Sequence, residues 1–470
     1  MAVTVDAVKV LEQRRVSLPL GSVPPADLPL TYFDVTALSI PPIQQLFFYD
    51  FSCSTQEFRD LHFPQLEHSL SLALTLFYPF AGRLVPLMDS YPGDLVIRYS
   101  KGDCVPLTLA ESRANFARLA GNQPKEAKEF HSLVSPILPV SSDGPEGRQQ
   151  APLAAFQVTV FPGAGITIGF TVKHVVADGL AGTHFLKSWA SIFKAGGDIS
   201  VVKNLPFYDR TLLGDLEQLK RDHLEREAAK KDQSRASFGE SEAEEDHELN
   251  GVTRSTFVLT RAHIKKLHEK IFSTSEVGPR VSTFTVASAF LWVCLAKSRE
   301  VQEGKTVYFG CAADCRPRLD PPLPASYFGN CIRLVIIEAS QVELTGEKGL
   351  IAATEAIHSA IRRLDEGALK DIDSTLRKWE EVVRERPLTI SASPRFRMYE
   401  TDFGWGCASK VEIVTIDSTG AMSMAENTDE EGGIEIGVAG PDDELLRFTS
   451  FFEEGLRALM ASMGRDVLDS

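Results

Sequence analysis

This chain of 470 residues has no apolar run long enough to span a bilayer, so no membrane-crossing helix is expected. Its seven cysteines are scattered and odd in number. Cys311 and Cys315 are the closest pair, and no second pair matches them, so no metal site is expected. Free thiols in a reducing compartment fit this usage. Positive charge is short: 49 Lys and Arg stand against 64 Asp and Glu, a formal net charge of −15. No stripe of basic residues interleaved with aromatics appears, so the chain lacks the face a nucleic-acid binder needs to displace counterions. It also lacks an N-x-S/T glycosylation site, a G-x-S-x-G nucleophile elbow and a Walker-type glycine loop. The first ten residues alternate as a strand does, without the apolar centre of a leader peptide. A soluble cytoplasmic protein with no nucleic-acid or membrane partner is the expectation.

The length points to two domains of roughly 200 residues each. Residues 215–250 are crowded with charge, and Glu240 to Asp246 is an acidic run with nothing to bury. A solvated linker with a helical patch is expected there. The division reads as an N-terminal domain over 1–195, a charged crossover over 196–250 and a C-terminal domain over 251–470. Strand and helix patterns occur in both parts, which implies an α/β fold with mixed β-sheets and flanking helices. The Pro-rich stretch from Pro19 to Pro42 should run extended over the surface. Thr260 and Ser282 stand where helix caps belong, and the second of these helices is apolar nearly all round, so it should be deeply buried. The closing helix should begin at Pro441-Asp-Asp-Glu444.

One stretch organises the rest. Phe156 to Phe161 and Ile166 to Val172 both alternate, and Pro162-Gly-Ala-Gly165 between them is turn chemistry, so a hairpin of half-buried strands is expected. His174, Asp178 and Gly179 follow where the second strand ends. An amphipathic helix then opens with Leu186, Trp189 and Phe193 on its inner side. A strand-end histidine is rigidly held yet stands at a loop mouth, where it can reach a substrate. Taken alone, Asp178 is as well explained as the N-cap of that helix, and a lone H-x-x-x-D has about one chance in ten of being catalytic.

Further on, Asp402-Phe-Gly-Trp-Gly406 sets a tryptophan between two glycines. Ala313-Asp-Cys-Arg-Pro-Arg318 ends a strand with two arginines, and Tyr327-Phe-Gly-Asn-Cys331 follows. Near the start stands Leu30-Thr-Tyr-Phe-Asp34. In this order and at these separations, the motifs resemble the plant BAHD acyltransferases, which take acyl groups from coenzyme A thioesters. The resemblance covers essentially the whole chain. Y-F-G-N-C is similar to the subgroup that acylates anthocyanins, flavonoids and phenolic glucosides, many of whose members use malonyl-CoA.

The resemblance implies a chloramphenicol acetyltransferase-like fold of two similar-sized domains with a solvent channel at their interface. His174 would lie mid-channel, and residues 400–424 would return toward the N-terminal domain. It implies a monomer with no tightly bound cofactor, with malonyl-CoA or another acyl-CoA as co-substrate and a glycosylated phenolic as acceptor. Acyl transfer from a thioester needs a base for the alcohol and a donor for the oxyanion. His174 suits the first task. The family's aspartate pairs with an arginine, so Asp178 should meet Arg316. Asp402 is carried over as a catalytic position, although bracing its own loop is the role its residue context favours, with Gly404, Trp405 and Gly406 shaping the site and Trp405 a candidate oxyanion donor or a wall for the thioester. Two places depart from many relatives: Lys173 stands where a first histidine is common, and Cys407 where a basic residue is common. Lys187 and His184 are candidates for a malonyl carboxylate. Arg280, Ser282 and Thr283, at a helix N-terminus, are candidates for the coenzyme A phosphates. A hydroxycinnamoyl-CoA donor on the same fold is the alternative. A catalytically dead binding protein is the reading from another class, and the intact His174, Asp178 and D-F-G-W-G speak against it.

Overall fold

The computed structural model describes residues 8–87, 94–137, 151–237, 249–273 and 281–461. Two large sheets form two domains. The first has six strands in the order Lys9–Ser17, Cys104–Glu111, Ala154–Phe161, Gly165–Val172, Ile43–Tyr49 and Lys410–Ile413. The second has seven, in the order Ile332–Ser340, Thr306–Asp314, Leu388–Ser391, Met422–Glu426, Ile434–Pro441, Val252–Leu259 and Lys125–Glu126. Each sheet therefore ends on a strand from the other end of the chain. Lys410–Ile413 pairs antiparallel with Ile43–Tyr49, Lys410 opposite Phe48. Lys125–Glu126 pairs with Val252–Leu259, Thr253 opposite Glu126.

The expected hairpin forms, with Phe156 opposite Phe170 and Val158 opposite Ile168. Its strands are not half-buried, however: all eight residues of each are buried. Alternation failed as a guide because a second layer covers the outer face. That layer includes Phe116, Leu119, Phe130, Leu133 and Val134. It approaches so closely that a Cβ on Gly169 would come within 2.5 Å of the Leu133 carbonyl oxygen. The inner face packs on the sixteen-residue helix Gly179–Lys194, which buries Phe185, Leu186, Trp189 and Ile192. Fully burying side chains of this size contributes about 1.5–3 kcal/mol each. The Trp189 indole N–H donates to Ser69 Oγ at 3.0 Å, so its one polar atom is satisfied inside the core.

Two charged or Pro-rich stretches pack more closely than their composition implies. Within Pro19 to Pro42, Ala26–Pro29 is a strand and Tyr32–Val35 a helical turn with all four residues buried. A capping box between Thr31 and Asp34 closes that turn. The charged crossover carries a 21-residue helix, Glu217–Ser237, which docks rather than floats. Lys220 and His223 are buried, the His223 ring lies 6.5 Å from that of Tyr32, and Arg226 bonds Asp373 at 2.6 Å. In the second domain, the helix Thr283–Ser298 is buried along most of its length, beside Gly349–Arg363 and Asp442–Ala461. Pro441 ends a strand, and the closing helix starts one residue later than expected.

Candidate active site

The chain leaves the strand at Val172, turns through Lys173 to Ala177, and enters the helix at Gly179. Asp178 serves that helix and a distant loop together. Its Oδ1 accepts from the Ala181 amide at 3.0 Å, which is the N-cap. Its Oδ2 pairs with Arg316 Nη1 at 2.8 Å and accepts from the Cys331 amide at 3.1 Å. Both charged side chains are 1% exposed. Arg316 Nη1 also meets Asp314 at 3.1 Å, and its Nη2 donates to the carbonyls of Tyr327 and Gly329 at 3.2 and 3.1 Å. Arg316 therefore stitches both sides of the Y-F-G-N-C loop.

Asn330 of that loop faces the histidine. Its Nδ2 donates to Asp34 Oδ1 at 3.1 Å and to the His174 carbonyl at 2.9 Å. Both partners are acceptors, so the amide nitrogen must lie on that side. Asn330 Oδ1 then faces His174 Nδ1 at 3.1 Å. An oxygen accepts, so Nδ1 carries the proton and Nε2 keeps its lone pair. Burial lowers the imidazole pKa below the ordinary 6.5, against the smaller opposing effects of a hydrogen bond to its own backbone, of Asp178, of Asn330 and of Asp34. Neutral imidazole is the resting form at neutral pH.

Gly329 is required by this geometry. Its φ is +129°, and a Cβ there would lie 2.9 Å from Arg210 Nη2. Arg210 pairs with Asp34, so H-x-x-x-D, L-T-Y-F-D, Arg316 and Y-F-G-N-C close into one buried polar network. Asp34, Asn330 and Arg210 are the members that sequence reasoning leaves without a role. Asp34 and Asn330 each stand inside a family motif that carries no signal of a role for them. Arg210 lies in the crossover, where nothing distinguished it.

Asp402 does not belong to this network. Its Oδ1 accepts from the amides of Gly404 and Gly406 at 2.7 and 3.0 Å, and its Oδ2 pairs with Lys194 at 2.5 Å. Lys194 ends the helix that Asp178 begins, and sixteen residues of helix span about 24 Å. Asp402 thus braces its own loop rather than the reacting centre. Gly404 and Gly406 take positive φ, +91° and +96°, to turn that loop. Trp405 packs among Phe51, Phe193, Phe403 and Tyr49 with ring centroids 5.1–5.8 Å away, at the Lys194 end of the helix rather than the His174 end. The segment leading to Asp402 runs beside the helix. The Phe396 ring lies where a Cβ on Gly179 would clash, Glu400 pairs with Lys187 at 3.1 Å, and Asp402 with Lys194.

The candidate carboxylate receptors are already engaged. Lys187 is paired with Glu400. His184 bonds the Asn204 carbonyl at 2.7 Å, and burial lowers its pKa, so it carries no charge to offer an anion. Ser282 caps its helix through the Thr285 amide at 3.2 Å, and Thr283 is exposed beside it. Arg280 lies outside the described residues. Among the described residues, no group of three or more His, Cys, Asp or Glu could hold a metal ion, and no helix is long and apolar enough to cross a membrane. Two thiols stand near the network, at Cys315 and Cys331. Burial pushes Cys315 up to about 12 and Cys331 well above the usual thiol range, so both stay protonated and are poor nucleophiles.

The two-domain α/β fold thus holds a neutral, oriented histidine at a strand end, tied to motifs from both halves of the chain. The Transferase family profile matches residues 8–455. The chain belongs to that family, the BAHD acyl-CoA-dependent acyltransferases. It is 37% identical to the malonyl-CoA:anthocyanidin 5-O-glucoside-6''-O-malonyltransferase of Arabidopsis thaliana, over 96% of this chain and 99% of that protein. It is 34% identical to the coumaroyl-CoA:anthocyanidin 3-O-glucoside-6''-O-coumaroyltransferase 1 of the same plant, over 96% and 97%. Phenolic glucoside malonyltransferase 1 of Nicotiana tabacum is 35% identical over 88% and 91%. Among solved structures, vinorine synthase superposes with a TM-score of 0.66 at 18% identity, covering 94% of this chain and 96% of that one. This superposition establishes the fold.

Proposed function

We propose that this protein transfers an acyl group, malonyl first among candidates, from acyl-CoA to a sugar hydroxyl of a glucosylated phenolic, flavonoid or anthocyanin. Acyl-CoA is a co-substrate, and no resident cofactor takes part. His174 Nε2 removes the proton as the alcohol oxygen attacks the thioester carbonyl. The tetrahedral intermediate then expels the coenzyme A thiolate, which is protonated by the imidazolium to leave as the free thiol, returning His174 to its neutral form. The observation that carries this reading is the bond from His174 Nδ1–H to Asn330, which leaves Nε2 bare. The two protonated thiols beside the site support direct transfer over an acyl-cysteine intermediate.

A hydroxycinnamoyl donor is the second reading. It is favoured by the engagement of Lys187 with Glu400 and of His184 with Asn204. The test is thiol release from malonyl-, coumaroyl- and acetyl-CoA with flavonoid glucosides and their aglycones. Malonyl-CoA with a glucoside should be the fastest pair, and aglycones should be poor. Preference for coumaroyl-CoA would transfer the assignment to the second reading. Aglycones acylated as fast as glucosides would overturn the acceptor class.

A further inference from the structure

Asp34 lies in a helical turn far from the histidine in sequence, is 0% exposed, and touches no atom of the imidazole among the contacts above. It nevertheless meets five donors. Oδ1 accepts from the Asn330 amide at 3.0 Å and from its Nδ2 at 3.1 Å. Oδ2 accepts from the Thr31 amide at 2.9 Å, from the Thr31 hydroxyl at 2.7 Å, and from Arg210. Only an acceptor on both sides satisfies this set, which a carboxylate provides and a carboxamide cannot.

We propose that Asp34 is a positioning residue for acyl transfer. It holds the Asn330 carboxamide in one of its two orientations and so selects the Nδ1–H tautomer of His174. If Asn330 turned over, its Nδ2 would face His174 Nδ1. That nitrogen would then have to accept, the proton would move to Nε2, and the base would have no lone pair for the alcohol. Arg210 neutralises the charge that makes this lock possible in a buried site. The division of labour follows the two Asp–Arg pairs: Asp178 with Arg316 holds the Cys331 amide, and Asp34 with Arg210 holds the neighbouring Asn330. The proposal rests on His174 as the base, as argued above.

The test labels histidine with nitrogen-15 and reads the His174 imidazole by NMR, assigned by difference from His174→Gln. In the unaltered protein, Nδ1 should be protonated and Nε2 bare. Asp34→Asn should move the signal toward the Nε2–H form, lower kcat by about 10²-fold, and leave both KM values within about twofold. Asn330→Ala should lower kcat similarly, and adding Asp34→Asn to it should cost little more, because Asp34 acts through Asn330. If Asp34→Asn alone fails to fold, Asp34→Asn with Arg210→Gln removes the stranded cation, and the same signal is read. An unchanged imidazole signature, or losses that multiply in the double variant, would overturn the proposal. The imidazole signal needs no substrate, so this outcome is independent of whether the donor and acceptor are correctly assigned.

Discussion

His174→Ala is expected to lower turnover by about 10²–10⁴-fold, the usual contribution of a positioned general base. The loss should fall on kcat with little change in KM for acyl-CoA, since the imidazole acts on the alcohol proton and not on donor binding. Folding should survive. The side chain is only half-buried, and Asn330 keeps Asp34 and the residue 174 carbonyl as partners. Circular dichroism and a thermal melt would check that point beside the kinetics. Near-normal turnover in this variant would remove the base from the mechanism. No other group described at the site can replace it: Asp178 is committed to Arg316, and the two thiols are protonated.

The second large effect is on stability. Arg316 and Asp178 are both buried, and breaking such a pair from one side costs roughly 3–5 kcal/mol because a charge is left without compensation. The two sides are unequal. Without Asp178, Arg316 still has Asp314 and two carbonyls. Without Arg316, the Asp178 carboxylate keeps only the amides of Ala181 and Cys331. Arg316→Ala should therefore lie at the upper end of that range and Asp178→Asn at the lower. Melting temperatures should fall by about 10 °C, more for Arg316→Ala. Activity should fall with them, because the loop that carries Asn330 loses its anchor. A fully stable but inactive Asp178→Asn would instead argue that Asp178 acts directly in the chemistry.

The local elements were legible because local chemistry makes them. Asp178 and Thr260 cap their helices as their residue types imply, and the turn at Pro162 to Gly165 sets the hairpin register. The Asp178–Arg316 pair was reachable only through the family resemblance, since 138 residues separate the partners. What stayed hidden is long-range. Asp34 and Asn330 are 296 residues apart, and a hydrogen bond across that distance leaves no periodic trace. The flanking prolines made Asp34 read as surface, whereas the helical turn they frame is buried. Lys410 and Lys125 sit inside short exchanged strands where charge argues for solvent. The first is buried against Glu435 at 2.7 Å, and the second bonds the Leu119 carbonyl at 3.0 Å. Asp402 carried two readings, a catalytic position and a brace for its own loop, because the motif alone does not fix its distance from His174. Its glycines and tryptophan instead form a turn and an aromatic cluster that fix the far end of the helix.

The central claim is that a neutral His174 takes the proton from the acceptor alcohol, and the pH dependence of kcat/KM for the acceptor tests it most directly. Burial disfavours the imidazolium, so the pKa lies below 6.5 and the active, unprotonated form predominates at neutral pH. The account predicts a plateau around neutrality and an acid limb of unit slope with its midpoint below 6.5. A midpoint well above 6.5, or a rate that rises as the pH falls through this region, would contradict it.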